Sequence, residues 1–209
     1  MSEFSQNFMK WCGEKSNTFI ETGTFKGTTT KLASRYFKKT ITIEIDETNH
    51  NYSKNKLNNI DSIQFELGDT LDLLPKIIKN NKDTKCTFWL DAHPMDPEVD
   101  KSCPLLAELD MINELSDRKD HIIIIDDFQR CKNSIGDYPY FEEIKAKLLA
   151  INPNYIIKTL PFKAWQVKKG EPAVISASVE DFEFKNSFYI NKGSSMDKYM
   201  RRIKSIFQS

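Results

Sequence analysis

The stretch Cys86-Thr87-Phe88-Trp89-Leu90-Asp91-Ala92-His93 decides how this chain is read. An apolar run ends abruptly in an acid. A second run does the same, Ile122-Ile123-Ile124-Ile125 being followed by Asp126-Asp127-Phe128. Apolar runs this short, without polar alternation, predict strands buried on both faces, as in a parallel sheet. In an open α/β sheet the ligand lies beyond the carboxyl ends of the strands. Asp91, Asp126 and Asp127 are therefore expected to converge on one site. Three carboxylates in a small volume repel one another unless positive charge sits among them, and a hard divalent cation supplies it.

Working outward, strands and helices alternate. Thr18 to Ile20, Thr40 to Ile43 and Ser62 to Leu67 read as strands. Thr28 to Phe37, His50 to Leu57 and Leu71 to Lys79 read as the helices between them, with Pro75 expected in a first turn or at a kink. Pro104 starts a helix with Leu105, Leu109 and Ile112 on one face, and Phe141, Ile144 and Leu148 mark another. Tyr155 to Leu160 and Ala173 to Val179 follow as strands with no helix between them. The expected fold is α/β: a seven-stranded, mostly parallel, Rossmann-like sheet with helices on both faces and the last strand antiparallel.

The 209 residues suit one domain, with a core over about 18–180 and a C-terminal extension over 181–209. Thirty basic residues balance thirty acidic ones, which argues against a general nucleic-acid binder. Lys198, Arg201, Arg202 and Lys204 share a short segment with Tyr199, Ile203 and Phe207, and read as the solvated face of a docked helix. The four cysteines form no C-x-x-C pair, and no stretch has the length or character of a signal peptide or a membrane span of ~20 residues. The chain reads as a cytoplasmic protein with no membrane partner. A homodimer is left open.

The first strand runs into Glu21-Thr22-Gly23-Thr24-Phe25-Lys26-Gly27-Thr28. Gly23 and Gly27 permit a tight turn, and the following helix start offers unpaired N–H donors. A dinucleotide turn carries three glycines, whereas this one has two. Glu21 would repel a pyrophosphate and favours a ligand with positive charge. Glu44 closes the second strand, where a carboxylate accepts from ribose hydroxyls. Gly68-Asp69-Thr70 follows the third strand, where an acidic turn can flank an adenine. Taken singly, each acid is better explained as a helix cap or turn residue; four at four successive strand ends are not.

These motifs, Glu-Thr-Gly-Thr-Phe-Lys-Gly (21–27), Ile-Glu-Ile-Asp (43–46), Gly-Asp-Thr (68–70), Phe-Trp-Leu-Asp-Ala-His (88–93) and Ile-Asp-Asp-Phe (125–128), resemble those of class I S-adenosylmethionine-dependent methyltransferases. Within that class, Asp91 with Asp126-Asp127 is similar to the metal-dependent O-methyltransferases of the catechol and macrocin types. The resemblance spans about residues 18 to 180. It implies that Glu21, Thr22, Gly23, Thr24, Gly27 and Thr28 surround the methionine part of S-adenosylmethionine, that Glu44 takes the ribose, and that Gly68, Asp69 and Thr70 flank the adenine. Asp91 would border the methyl donor. It also implies Mg²⁺ (or Mn²⁺) on Asp91, Asp126 and Asp127, and a hydroxyl-bearing small molecule or sugar as acceptor. Asp91 and His93 are the catalytic candidates, His93 as base, substrate contact or metal ligand, or else as a residue that merely shapes its loop.

The chain departs from the catechol type in having only about twenty residues before the first strand. The substrate cap is then expected from Pro94–Ser102, Gln129–Pro139 or the tail. Adjacent strand residues face opposite sides, so Asp126 and Asp127 reach one ion only if the chain leaves the strand there. Trp89 reads as core; Phe128, Tyr138 and Tyr140 read equally as acceptor pocket or packing; His50 and His121 receive no role. The competing readings are a dinucleotide-dependent oxidoreductase and a non-catalytic binding protein that keeps the fold.

Overall fold

The computed structural model describes residues 3–93, 103–133, 137–161, 172–183 and 188–192. Five parallel strands form the larger part of the sheet: β1 (Thr18–Thr22), β2 (Lys39–Glu44), β3 (Ile63–Leu67), β4 (Cys86–Leu90) and β5 (Ile122–Ile125). β6 (Ile156–Leu160) and β7 (Val174–Ser178) complete the seven expected strands, with β7 inserted antiparallel between β5 and β6. The tail adds an eighth, β8 (Phe188–Lys192), antiparallel to β6 at the sheet edge. The order is β3-β2-β1-β4-β5-β7-β6-β8. Direction reverses outward from β1, which makes the β1/β4 boundary the crevice where such sheets bind ligands.

The isoleucine run shows why sequence alternation is absent. Ile123 and Ile125 join the core on one face of the sheet, and Ile122 and Ile124 the core on the other. The first core lies under α4 (Thr70–Asn80), α5 (Leu105–Leu115) and α7 (Phe141–Ile151). The second lies under α1 (Glu3–Lys15) and α2 (Thr28–Ala33). α3 (Glu47–Leu57) and α6 (Phe128–Asn133) complete the described helices. Pro75 sits inside α4, in its second turn and not its first, and has no N–H for the carbonyl of Leu71. α2 stops at Ala33 rather than Phe37, the chain continuing as a turn in which Phe37 N–H still reaches the Ala33 carbonyl.

Helix α1 was not expected from the sequence. It buries Ser5, Phe8, Met9 and Cys12, the i, i+3, i+4, i+7 stripe of an amphipathic helix. Phe8 and Met9 are wholly buried, which stabilises by roughly 1.5–3 kcal/mol each. Phe182, just after β7, closes the stripe with Phe4, Phe8 and Trp11. Lys158 on β6 holds that segment through Asp181 and the Phe182 carbonyl, and Lys15 and Lys85 both pair with Glu180. The loop expected at Gln129–Pro139 begins instead as α6. Pro94–Ser102 and the basic tail lie outside the described residues, as does residue 134–136 of that loop. No helix among the described residues is long and apolar enough to cross a membrane.

Two contacts fix how the strands meet. His121 is buried at the start of β5: its Nδ1 accepts from Cys86 N–H at 3.2 Å, and its Nε2 lies 2.8 Å from Ser116 Oγ, which donates onward to the Lys82 carbonyl. That chain requires a neutral ring protonated at Nε2. Burial pulls its pKa down from 6.5 to about 4. The unfolded chain therefore binds the proton first as pH falls, and the contribution of His121 is full above about pH 6.5 and lost toward pH 4. Glu21 and Glu108, both pushed up to about 7 by burial, act in the opposite sense, so a difference measurement is needed. We expect His121→Gln to lower stability by ~1–2 kcal/mol at pH 7 and the gap to wild type to narrow at pH 4.5, read from urea unfolding at both values. An equal gap at the two pH values contradicts this account.

The second contact is at Gly23, whose φ is +81°. A Cβ there would lie 2.3 Å from the Asp91 carbonyl oxygen and 2.7 Å from its carbonyl carbon. Both neighbours are backbone held in the sheet, so neither can yield. Gly23→Ala should cost about 3 kcal/mol or more, combining left-handed strain with the clash. A wild-type urea midpoint in that variant would show that β1 and β4 do not meet this closely.

Candidate functional site

The parallel register runs one residue past the strand ends. Gly23 N–H donates to the Ile43 carbonyl at 3.0 Å, and Asp91 N–H to the Thr22 carbonyl at 3.1 Å. Asp126 N–H donates to the Leu90 carbonyl at 3.1 Å, and Gly68 N–H to the Glu44 carbonyl at 2.9 Å. Glu44, Gly23, Asp91 and Asp126 therefore stand side by side along the carboxyl edge of four adjacent strands. This is the convergence that the two apolar runs predict.

Asp127 answers the question of facing. Its φ is +56°, so the chain turns out of the strand at this residue. Asp127 N–H folds back onto Asp126 Oδ1 at 2.8 Å. Tyr138 donates its hydroxyl to Asp127 Oδ2 at 2.9 Å, and Arg130 Nε lies 3.5 Å from the same oxygen. His93 bridges the two strand ends, with Nε2 at 3.0 Å from Asp127 Oδ2 and Nδ1 at 3.3 Å from Asp91 Oδ1. Asp91, His93 and Asp127 each offer a ligand atom within 4.8 Å of the other two. Asp126, expected among the metal ligands, stands outside that group of three.

Crowding shows in the titration of the acids. Burial raises Asp91 well above the usual carboxylate range, and Asp126, Asp127 and Glu21 push the same way, while the nearby Trp89 indole opposes them. Trp89 is thus core, as expected, with its indole turned toward the site. Asp126 is pushed up to about 7, again by burial first and then by the charge of Asp127. Burial pulls His93 below its ordinary value against the attraction of Asp127. Desolvation plus like charges in a cleft is the usual setting of a functional cluster.

The turn after β1 is tied from below. Glu21 is buried and accepts from Thr30 Oγ1 at 2.5 Å and Thr42 Oγ1 at 2.6 Å. Thr24 is buried against Thr42, while Thr28 is exposed at the start of α2. Glu44 accepts from Phe25 N–H at 2.6 Å with one oxygen and from Asp46 N–H at 2.9 Å with the other. Each of these oxygens keeps a second acceptor position. Gly27 caps α2 with a left-handed φ of +68°. Asp69 caps α4 by accepting from Leu71 N–H at 2.9 Å, so its capping role is real whatever else it does.

Sequence reading missed one carboxylate. Glu108 of α5 is buried, accepts from Thr70 Oγ1 at 3.0 Å, lies close to Thr22, and lines the cleft with Asp91, His93, Asp126 and Tyr138. Its signal was its place on the apolar face, three residues after Leu105 and four before Ile112. Of the three aromatics proposed for the acceptor side, Tyr138 reaches the cleft, Phe128 packs in the core against Phe141, and Tyr140 is exposed. Cys103 also lines the cleft, but burial pushes its thiol up to about 11, which removes it as a nucleophile at neutral pH.

No family model and no curated protein matches the chain by sequence. Solved structures do match in fold. The chain is similar to an O-methyltransferase from Bacillus cereus in complex with SAH, at 19% identity and a TM-score of 0.61, over 85% of this chain and 82% of that one. It is similar to the O-methyltransferase TomG from Streptomyces achromogenes, involved in tomaymycin synthesis and bound to SAM, at 14% identity and a TM-score of 0.57, over 86% and 82% of the two chains. A spermidine synthase in complex with the transition-state analogue AdoDATO matches at 11% identity and a TM-score of 0.56, over 88% of this chain and 62% of that one. The chain has the Rossmann-like fold of the class I S-adenosylmethionine-dependent methyltransferases.

Proposed function

We propose that the chain is an S-adenosylmethionine-dependent O-methyltransferase that acts, with a divalent cation, on a hydroxyl of a small molecule or sugar. The observation that carries this reading is the row Glu44, Gly23, Asp91, Asp126 along one sheet edge, with Asp127 turned into it. The residues fit both groups. The acids of the cofactor turn are satisfied by neutral hydroxyls and backbone N–H groups, which leaves them able to attract a cationic ligand. The acids at β4 and β5 are crowded enough that a cation would relieve them.

Glu21, Thr22, Gly23, Thr24, Gly27 and Thr28 would surround the methionine part. Glu44 would accept from the ribose, and Gly68, Asp69 and Thr70 would flank the adenine. When bound, S-adenosylmethionine supplies an electrophilic methyl group on sulfonium. A divalent cation held between the β4 and β5 strand ends, where Asp91 and Asp127 each offer an oxygen, would supply charge that lowers the pKa of an acceptor hydroxyl. The chain supplies direction: Asp91 borders both the donor and the acceptor side, His93 and Tyr138 wall the acceptor side, and orientation carries much of the rate. Balanced charge and four cysteines without a disulfide support a cytoplasmic enzyme with a small acceptor rather than a nucleic acid.

Calorimetry with S-adenosylmethionine and with NAD, each with and without Mg²⁺, tests the reading directly. Binding of NAD but not S-adenosylmethionine would sink it. We further expect Asp127→Asn to lower metal-dependent methyl transfer roughly tenfold or more while shifting S-adenosylmethionine affinity far less. Equal loss of both would remove the metal role from Asp127.

A further inference from the structure

His93 lies between two carboxylates that belong to different strand ends, Asp91 after β4 and Asp127 after β5. One ring nitrogen, one Asp91 oxygen and one Asp127 oxygen fall within 4.8 Å of one another. Atoms bound to one octahedral ion are about 3 Å apart in adjacent positions and about 4.2 Å apart in opposite ones. Shifts of under about 1 Å therefore gather the three on one centre.

The surroundings are those of a ligating histidine. Such a ring binds through one nitrogen and usually donates its other N–H to a carboxylate. Here each nitrogen faces a carboxylate, and taking up the ion would exchange one of these two contacts for a bond to the metal. Asp127 is oriented in turn by Tyr138 and Arg130, which both address Oδ2. Asp126 orients Asp127 from behind, accepting its backbone N–H.

Resting on the metal-assisted reading above, we infer that the cation is held by Asp91, His93 and Asp127, with Asp126 as a supporting residue, and that the site takes a first-row transition ion in preference to Mg²⁺. Mg²⁺ keeps oxygen ligands and waters, whereas imidazole suits iron, nickel and zinc. One histidine and two carboxylates leave positions on the ion for acceptor oxygens. The donor set thus separates this chain from a site built of three carboxylates, for which Mg²⁺ is the natural occupant.

The experiment uses the whole chain and two probe ions. Mn²⁺ is added and the pulsed EPR spectrum is searched for ¹⁴N coupling; Co²⁺ and Mg²⁺ affinities are measured by calorimetry for wild type and His93→Gln. We expect ¹⁴N coupling in the wild-type Mn²⁺ complex, tighter binding of Co²⁺ than of Mg²⁺, and a loss of roughly tenfold or more in Co²⁺ affinity in the variant, with Mg²⁺ affinity changed far less. A Mn²⁺ complex without ¹⁴N coupling overturns the inference, as does a folded variant that keeps its Co²⁺ affinity. The wild-type spectrum decides the matter even if the variant fails to fold. S-adenosylmethionine calorimetry on the same preparation keeps the two proposals apart. Nitrogen ligation without S-adenosylmethionine binding sinks the methyltransferase reading alone, and binding with all-oxygen ligation sinks the metal assignment alone.

Discussion

The site depends on one backbone contact, where Gly23 meets the peptide of Asp91 with no room for a side chain. That contact fixes the distance between β1 and β4 at the point where strand order reverses. The ladder on either side sets the register: Thr22 pairs with Leu90, and Leu90 with Ile125. A slip of one residue anywhere in this set would send an acid to the opposite face of the sheet. What resists the slip is packing on both faces, since the four isoleucines of β5 feed two separate cores. The most apolar part of the chain thus sets the position of its most crowded charges.

Those charges are held at a cost. Asp91 and Asp126 are raised by burial first, Asp91 also by Asp126, Asp127 and Glu21 and Asp126 also by Asp127, so the folded chain retains protons there that the unfolded chain would release. As pH rises from the ordinary carboxylate range toward about 7, that holding becomes progressively unfavourable. The fold tolerates this because Asp127 N–H satisfies part of the demand at Asp126. Asp46 and Asp69 each accept from a backbone N–H in the first turn of the helix they open, which is the ordinary cap geometry.

Where local chemistry and tertiary burial agreed, the sequence was readable. The β5 run, the Gly23 turn and the acids at strand ends all fall where the apolar pattern puts them. Helix α1 was readable in principle, since Phe8, Met9 and Cys12 keep helical spacing, but polar neighbours and Gly13 dilute the stripe. Glu108 looked like one charge on a helix, and only α5 docking on the sheet shows that it faces Thr22 and Thr70. The facing of Asp127 was not readable. Two adjacent acids carry no sign of which one leaves the strand, and the left-handed φ that decides it goes with contacts to Tyr138, Arg130 and His93, all distant in sequence or beyond the strand.

The two buried glutamates say most about the sign of the ligand. Glu21 and Thr22 are consecutive on β1 and so point to opposite faces. On one face Glu21 accepts from Thr30 and Thr42; on the other Thr22 reaches Glu108, which Thr70 also reaches. The turn at Gly23 is thus gripped from both sides by carboxylates whose partners are hydroxyls. Burial pushes both acids up to about 7, so near neutral pH their charge is set by what lies close by. A cation above Gly23 would favour the ionised forms and be held by them. A pyrophosphate would drive protons onto both and gain nothing from the turn. The same backbone that in a dinucleotide enzyme cradles negative charge is here set over two acids, and that difference argues for a sulfonium-bearing ligand over a phosphate-bearing one.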